Sequence, residues 1–392
     1  ESTKGEKTQN NNRRRSYTHS LICHIYYCNK YCGKVQSRKT QKNAGKKMNI
    51  VKQDIWQYLK TTKKPVVLYG MGNGADKIIK ALESVSVKPS GVFATDGFVR
   101  DKLFHGMRLT SYSALKEKFG DMTVLLCFGS SRPEVLENIK RISAEQELLV
   151  PDVPVYGGGI FNSEYVARNR ERLLWVYSHL ADEKSRETFE NTVNFKLSGK
   201  TEYLYRCEVS PDEPYNSFLT LGKAENYLDL GAYNGDTALE FAARVEEYKS
   251  ITAVEPDKKS FKKLTANTAC LENIMLINAL VGEKSGNAEF SAHKGRGSGV
   301  GAGEYCRMIS VDALNGDFSF IKADVEGSEV QMIKGAENTI SRCRPKMQIA
   351  CYHRTGDLTD IPQAVCNIRN DYRIYMRHFP GLPAWDINYY FV

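Results

Sequence analysis

Several things are missing from this chain, and each absence narrows what it does. No run approaches the roughly 18 consecutive apolar residues of a membrane-spanning helix. Arg13–Arg15 followed by "SLICHIYYC" has the order of a signal peptide. The apolar part is short, however, carries His24 and leads to no small-residue cleavage site. No targeting signal is therefore read, and a cytoplasmic protein is expected. The ten cysteines are scattered. Cys23, Cys28 and Cys32 stand near His24, but no second ligand pair follows at finger-like spacing, so reduced thiols are expected and no metal is assigned. Basic excess is also missing from most of the chain. Residues 1–47 hold 12 Lys/Arg and 2 Asp/Glu, a net of +10 against a total of +9, so the other 345 residues net −1. That removes the global case for nucleic-acid binding. The Asn-, Gln-, Lys- and Thr-rich stretch 1–47 is read as a disordered leader before Met48, with a basic arm for phosphates as the alternative. No internal repeat is evident.

What is present is a soluble α/β composition, 41% hydrophobic and 26% charged, in 392 residues, too long for one ordinary core. Two strand–helix rhythms divide it. The first begins at Lys64: strands at "PVVLYG" (65–70), "SGVFATD" (90–96) and "MTVLLCFGS" (122–130), with a helical stretch from Pro133 to Leu148. It predicts a smaller Rossmann-like parallel α/β domain over 48–160. Residues 161–202 read as a helical connector, with Leu173, Val176, Tyr177 and Leu180 on its apolar face. The second rhythm fills 203–392, with strands expected at 226–231, 250–255, 274–281, 286–291, 318–324, 346–351, 372–378 and 386–392. The last two are separated only by "PGLPAW" (380–385), too short for a crossover helix, so they should form an antiparallel hairpin.

The stretch "YLDLGAYNGDTALEF" (227–241) carries the chemistry. Tyr227, Leu228 and Leu230 put it on a strand; Leu239, Ala242 and Val245 put a helix after it. Gly231 and Gly235 lack Cβ atoms and allow a tight bend with close approach. Asp229 and Asp236 are the unusual part. A loop for pyrophosphate offers N–H groups and avoids fixed negative charge, so two carboxylates suit a cationic ligand. Glu255 ends the next strand, 20 residues after Gly235, where an acid can accept both ribose hydroxyls of a nucleoside. A nucleoside with a positive centre and no phosphate is S-adenosyl-L-methionine.

A second stretch, "FIKADVEGSE", places Asp324 and Glu326 two residues apart at a strand end, beside the bend. Either could take a proton from an acceptor hydroxyl. Both could also bind a divalent metal, though no third ligand is clear. Ser328 with Gln331 reads as a capping box for the following helix. His353, after "QIACY", is a further candidate base. Tyr215, Tyr233 and Tyr352 are candidates for an aromatic wall, and His378, inside the hairpin pattern, reads as structural.

Residues 203–392 resemble the FkbM family of S-adenosylmethionine-dependent methyltransferases. The likeness is carried by "YLDLGAYNGDT", "AVEPD", "FIKADVEGSEVQMIKGAENTI", "IACYHRTGDLTDIP" and "YRIYMRHF", in that order. Tyr233 stands where the general methyltransferase bend often has a third glycine. The resemblance implies a class I methyltransferase fold, a seven-stranded mostly parallel sheet with an antiparallel terminal hairpin. It implies that Asp229, Gly231, Ala232, Gly235 and Asp236 bind the methionine part of the donor, Glu255 the ribose, and Asn278 and Ala279 the adenine. It further implies O-methylation of a sugar, glycolipid precursor or natural product, that is, a small-molecule or glycan acceptor.

The first domain has its own bend, "LYGMGNGADKII", a G-x-G-x-x-A pattern at Gly70, Gly72 and Ala75, with Asp96 22 residues beyond Gly74. Alone it is a weak match, open to a nucleotide site or a scaffold. Two rival readings follow: an NAD-dependent oxidoreductase or epimerase working through this domain, and an inactive methyltransferase-like binding module.

Overall fold

The computed structural model describes residues 47–95, 101–291, 299–300 and 304–392. Residues 1–46, with Cys23, Cys28 and Cys32, and Asp96 lie outside the described residues. Both expected sheets are present. The first has strands β1 (Val66–Tyr69), β2 (Gly91–Ala94), β3 (Leu103–Phe104), β4 (Met107–Ser111), β5 (Thr123–Leu126) and β6 (Glu147–Leu149), in the order β3-β4-β2-β1-β5-β6. All its pairings are parallel except β3 with β4. The helical stretch from Pro133 stops at Glu145, earlier than the sequence pattern indicates, and Glu147–Leu149 is an edge strand instead. Leu148 and Leu149 are buried there, opposite Val124 and Leu125 of β5.

The second sheet is built from β7 (Asn226–Leu230), β8 (Ser250–Val254), β9 (Ile274–Ile277), β14 (Phe320–Ala323), β15 (Lys346–Ala350), β16 (Ile374–His378) and β17 (Ile387–Phe391). Its order is β16-β17-β15-β14-β7-β8-β9. Strands β15, β14, β7, β8 and β9 run parallel, while β17 is antiparallel to both β15 and β16, as the short 380–385 loop requires. The expected strand 274–281 breaks at Asn278. Its end, β10 (Leu280–Val281), joins β11 (Gly286–Ser291), β12 (Gly299–Val300) and β13 (Glu304–Ile309) in a separate four-stranded sheet.

The central strands β7, β8 and β14 are buried along most of their length, and two charged residues, Asp229 on β7 and Lys322 on β14, interrupt their otherwise largely apolar sequence. Tyr227 stacks on Phe241 (centroids 4.2 Å apart) and on Phe320 (5.1 Å), which fixes the helix after β7 over β14. Removing a ring so buried, as in Phe320→Ala, costs about 3–5 kcal/mol.

The connector consists of three helices, Ser163–Arg168, Arg170–His179 and Glu183–Ser198. Leu173, Val176, Tyr177 and Leu180 are all buried, as their spacing predicts. Buried Arg377 of β16 binds Asp182 and Glu213 at 2.6 Å each, tying the last helix's N-cap to the sheet. The two sheets also meet directly. Ser130, past β5, and Leu382, in the terminal hairpin loop, exchange two backbone hydrogen bonds of 2.7 and 3.0 Å. Trp385 lies on Gly129, where a Cβ would stand 2.0 Å from the indole.

Candidate active site

The bend after β7 is built by glycine, for reasons of packing as much as of ligand approach. Gly231 has φ +78°, and a Cβ there would stand 1.9 Å from the carbonyl oxygen of Asp324. Gly235 has φ +89°, and its Cβ would meet Thr268 at 2.7 Å and Leu264 at 3.0 Å. The tips of β7 and β14 can therefore touch only because residue 231 has no side chain. Ala232, fully buried, donates its N–H to Val254 and accepts from Gly235, closing the turn.

Asp229 is wholly buried beneath this bend. One oxygen is 3.4 Å from Lys322 Nζ and the other accepts from Thr237 Oγ1 at 2.5 Å. Burial pushes its carboxyl up despite Lys322. Burial alone would lower the Lys322 ammonium, but Asp229, Asp324 and Asp236 outweigh it and raise it. Lys322 was not singled out in the sequence; its only signal was a lysine inside a buried strand. Asp236 opens the following helix and is exposed at the mouth of the bend.

Glu255, 7% exposed at the tip of β8, accepts the N–H of Tyr233 at 2.9 Å with one oxygen and that of Asp257 at 2.8 Å with the other. Each oxygen keeps a second lone pair, so the carboxylate can still accept two hydroxyls. Burial raises its pKa to about 7. Asn278 donates to the carbonyls of Glu255 (2.8 Å) and Pro256 (3.0 Å) and braces this tip; Ala279 is buried beside it.

The expected acids Asp324 and Glu326 do converge, by a route other than strand alternation. Glu326 has φ +51°, a left-handed turn past the strand end. Asp324 Oδ1 and Glu326 Oε2 then lie 3.3 and 3.4 Å from His353 Nε2. On the other side of the ring, Nδ1 is 2.8 Å from Glu329 Oε1, a short but bent contact. Burial would lower the imidazole pKa, but the carboxylates of Glu329, Asp324 and Glu326 carry it to about 10. The capping box does not form. Ser328 makes no side-chain cap, and Glu329 Oε1 takes the N–H groups of Val325 (3.1 Å) and Gly327 (3.3 Å) instead. Glu329 is thus a site residue that the sequence pattern did not single out. Of the three tyrosines, Tyr352 reaches Asp324, donating at 3.2 Å; Tyr215 packs under Arg244 and Tyr233 is exposed. His378 is fully buried inside the hairpin, and burial lowers it to about 4.

Residues 229–374, which span the bend, Glu255 and the whole acid–histidine cluster, match the family model of the methyltransferase FkbM domain. Residues 229–374 are thus similar to the FkbM methyltransferase domain. A crystal structure of methyltransferase FkbM from Methylobacillus flagellatus KT is similar, with a TM-score of 0.65 and 21% identity over 84% of this chain and 90% of that one. Weaker likenesses are to a precorrin-6y C5,15-methyltransferase from Geobacter metallireducens (TM-score 0.31, 12% identity, 46% of this chain and 84% of that one) and to Aeropyrum pernix fibrillarin with bound S-adenosyl-L-methionine (TM-score 0.30, 13% identity, 43% and 67%). No curated protein matches. Among the described residues no helix is long and apolar enough to cross a membrane.

The second sheet's half of the chain does not enclose the acid–histidine cluster alone. The segment 154–159, which follows the first sheet, lies across it. Lys77 clamps the carbonyls of Pro154 and Val155 at 3.0 and 2.7 Å. Tyr156 donates its N–H to the His353 carbonyl at 3.0 Å, and Thr355 donates to that of Gly159 at 2.6 Å. A Cβ on Gly327 would stand 3.0 Å from Tyr156 Cβ. This link across the chain leaves no periodic signal in the sequence.

Proposed function

We propose that the FkbM-like domain is an S-adenosylmethionine-dependent O-methyltransferase acting on a hydroxyl of a sugar, glycolipid precursor or natural product. The observation that carries this is the contact of Gly231 with Asp324: the donor bend and the acid cluster adjoin without an intervening side chain. When bound, S-adenosylmethionine supplies an electrophilic methyl group on a sulfonium. Glu255 has two lone pairs left for the ribose hydroxyls, Asp236 lends negative charge at the mouth, and Asn278 with Ala279 borders the adenine end. Asp229 acts from below, by holding Lys322 and Thr237 in the bend. Asp324 and Glu326, each about one-third exposed, are the groups an acceptor hydroxyl can reach, and they take its proton. His353, held positive among carboxylates, serves as counter-charge and not as the base.

Incubation with methyl-labelled S-adenosylmethionine and a panel of sugars and hydroxylated natural products tests the proposal. Label in an O-methyl ether, lost in Asp324→Asn, is expected. Label only on nitrogen or carbon would overturn the O-methyl reading. Donor binding without turnover on any acceptor, unchanged by Asp324→Asn, would favour the inactive binding module.

A further inference from the structure

We propose that His353 Nε2 and the carboxylates of Asp324 and Glu326 form a site for one divalent metal ion, with Glu329 fixing the imidazole from its other edge. The site's existence rests on geometry; its chemical consequence rests on the methyl-transfer reading above.

The imidazole is 1% exposed, yet neither ring nitrogen has an aligned hydrogen-bond partner. Leaving such a group unaligned is costly in a buried place. Asp324 and Glu326 stand 3.3 and 3.4 Å from Nε2, near enough for hydrogen bonds but off its N–H direction. Flanking positions are those that fellow ligands occupy. Two donor atoms each about 2.1 Å from a shared cation lie about 3.0–3.4 Å apart, at angles from octahedral to tetrahedral. The donor atoms of Asp324, Glu329 and His353 all lie within 4.8 Å of one another.

Glu329 supplies the rest of a metal-binding arrangement. Its carboxylate is fully buried and fixed by the two backbone N–H groups of the Val325–Gly327 turn, 2.8 Å from Nδ1. A histidine that ligates through one nitrogen commonly offers the other to a carboxylate, which orients the ring and selects its tautomer. Charge points the same way. Asp357, buried one turn beyond His353, is a fourth acidic residue beside the cluster. The neighbouring cations are engaged elsewhere: Lys322 with Asp229, Lys196 with Asp152, and Arg354 with the Gly327 carbonyl. One imidazole with several carboxylates suits Mn²⁺ or Zn²⁺ better than a thiolate-seeking ion.

Such an ion takes the acceptor oxygen as a further ligand. The O–H bond breaks with its proton passing to the carboxylate oxygen of Asp324 or Glu326 that does not ligate the ion, and the acceptor oxygen keeps the electron pair on the metal. The positive His353 of the metal-free site gives up its Nε2 proton to solvent when the ion binds, ligates as the neutral imidazole, and leaves the counter-charge role to the metal.

Titration of the full, chelator-treated chain with Mn²⁺, followed by electron paramagnetic resonance of free Mn²⁺, tests this. One saturable site is expected, weakened at least tenfold in Asp324→Asn and in His353→Gln and unchanged in Asp236→Asn. If His353→Gln does not fold, Asp324→Asn and Glu326→Gln, at partly exposed positions, decide. Absence of saturable Mn²⁺ binding, or binding indifferent to both acid substitutions, would overturn the site. Calorimetry with S-adenosylhomocysteine on the same sample separates the two readings. Homocysteine-nucleoside binding without any Mn²⁺ site removes the metal and leaves methyl transfer standing. An Mn²⁺ site without nucleoside binding keeps the metal and removes the donor.

Discussion

The chain makes the same turn twice, and the two turns are put to different use. Gly70, Gly72 and Gly74 follow β1, and Gly231 and Gly235 follow β7; each stretch leaves a central parallel strand and enters a helix. At the first, a Cβ on Gly70 would stand 2.5 Å from the Phe128 ring and one on Gly74 2.3 Å from the Cys127 carbonyl, while Gly72 faces open space. The surrounding groups are aromatic: Tyr69 stacks on Phe93 and meets Phe128 edge-on, and Trp385 covers Gly129. At the second, the neighbours are Asp229, Lys322, Asp236, Glu255 and Asp324. Backbone shape is shared, and chemistry comes from which side chains the adjacent strand tips present.

Ways of breaking this contrast can be ranked. Asp324→Asn should have the largest effect, lowering turnover by about 10²–10⁴-fold while leaving donor affinity within about threefold, read by steady-state kinetics and calorimetry. Gly231→Ala places a methyl group against Asp324 at a positive φ and should cost about 3 kcal/mol of stability by denaturant unfolding, with loss of donor binding. Glu255→Ala should weaken S-adenosylhomocysteine binding by roughly 1–3 kcal/mol, as for lost hydrogen bonds to a charged group. Gly72→Ala, strained at φ +119° but meeting nothing, should cost about 1 kcal/mol of stability and leave donor affinity unchanged.

A pH dependence sharpens the Glu255 assignment. Its carboxyl titrates near 4.5 when unperturbed and at about 7 in the fold. A raised acid favours the fold in its protonated form, so this contribution is fully present below about 4.5 and is lost as pH rises through about 7. Ribose hydroxyls bind the charged form. Donor affinity should therefore rise between pH 6 and pH 8, and Glu255→Gln should flatten that rise.

The parts legible in the sequence were those with a local pattern. The bend announced itself by two glycines between strand and helix, the hairpin by a loop too short to cross, and the cluster by Asp324, Glu326 and His353 at strand ends. The rest lacked local signal. Glu329 looked like an ordinary acid of a helix's first turn, and its capture of two backbone N–H groups depends on the left-handed turn at Glu326. Tyr156 meets His353 only through tertiary packing. The four-stranded sheet formed because Asn278 turns away to brace Glu255, ending a strand that apolar pattern alone would continue.

We propose that the acids around the tips of β7 and β8 receive a cationic nucleoside, and the rival reading puts a dinucleotide at the first bend instead. Side-by-side calorimetry of the full chain with S-adenosylhomocysteine and with NAD tests it most directly. Saturable binding of S-adenosylhomocysteine, weakened in Glu255→Ala, with no heat from NAD, is the expected result. Binding of NAD with silence from S-adenosylhomocysteine would contradict it.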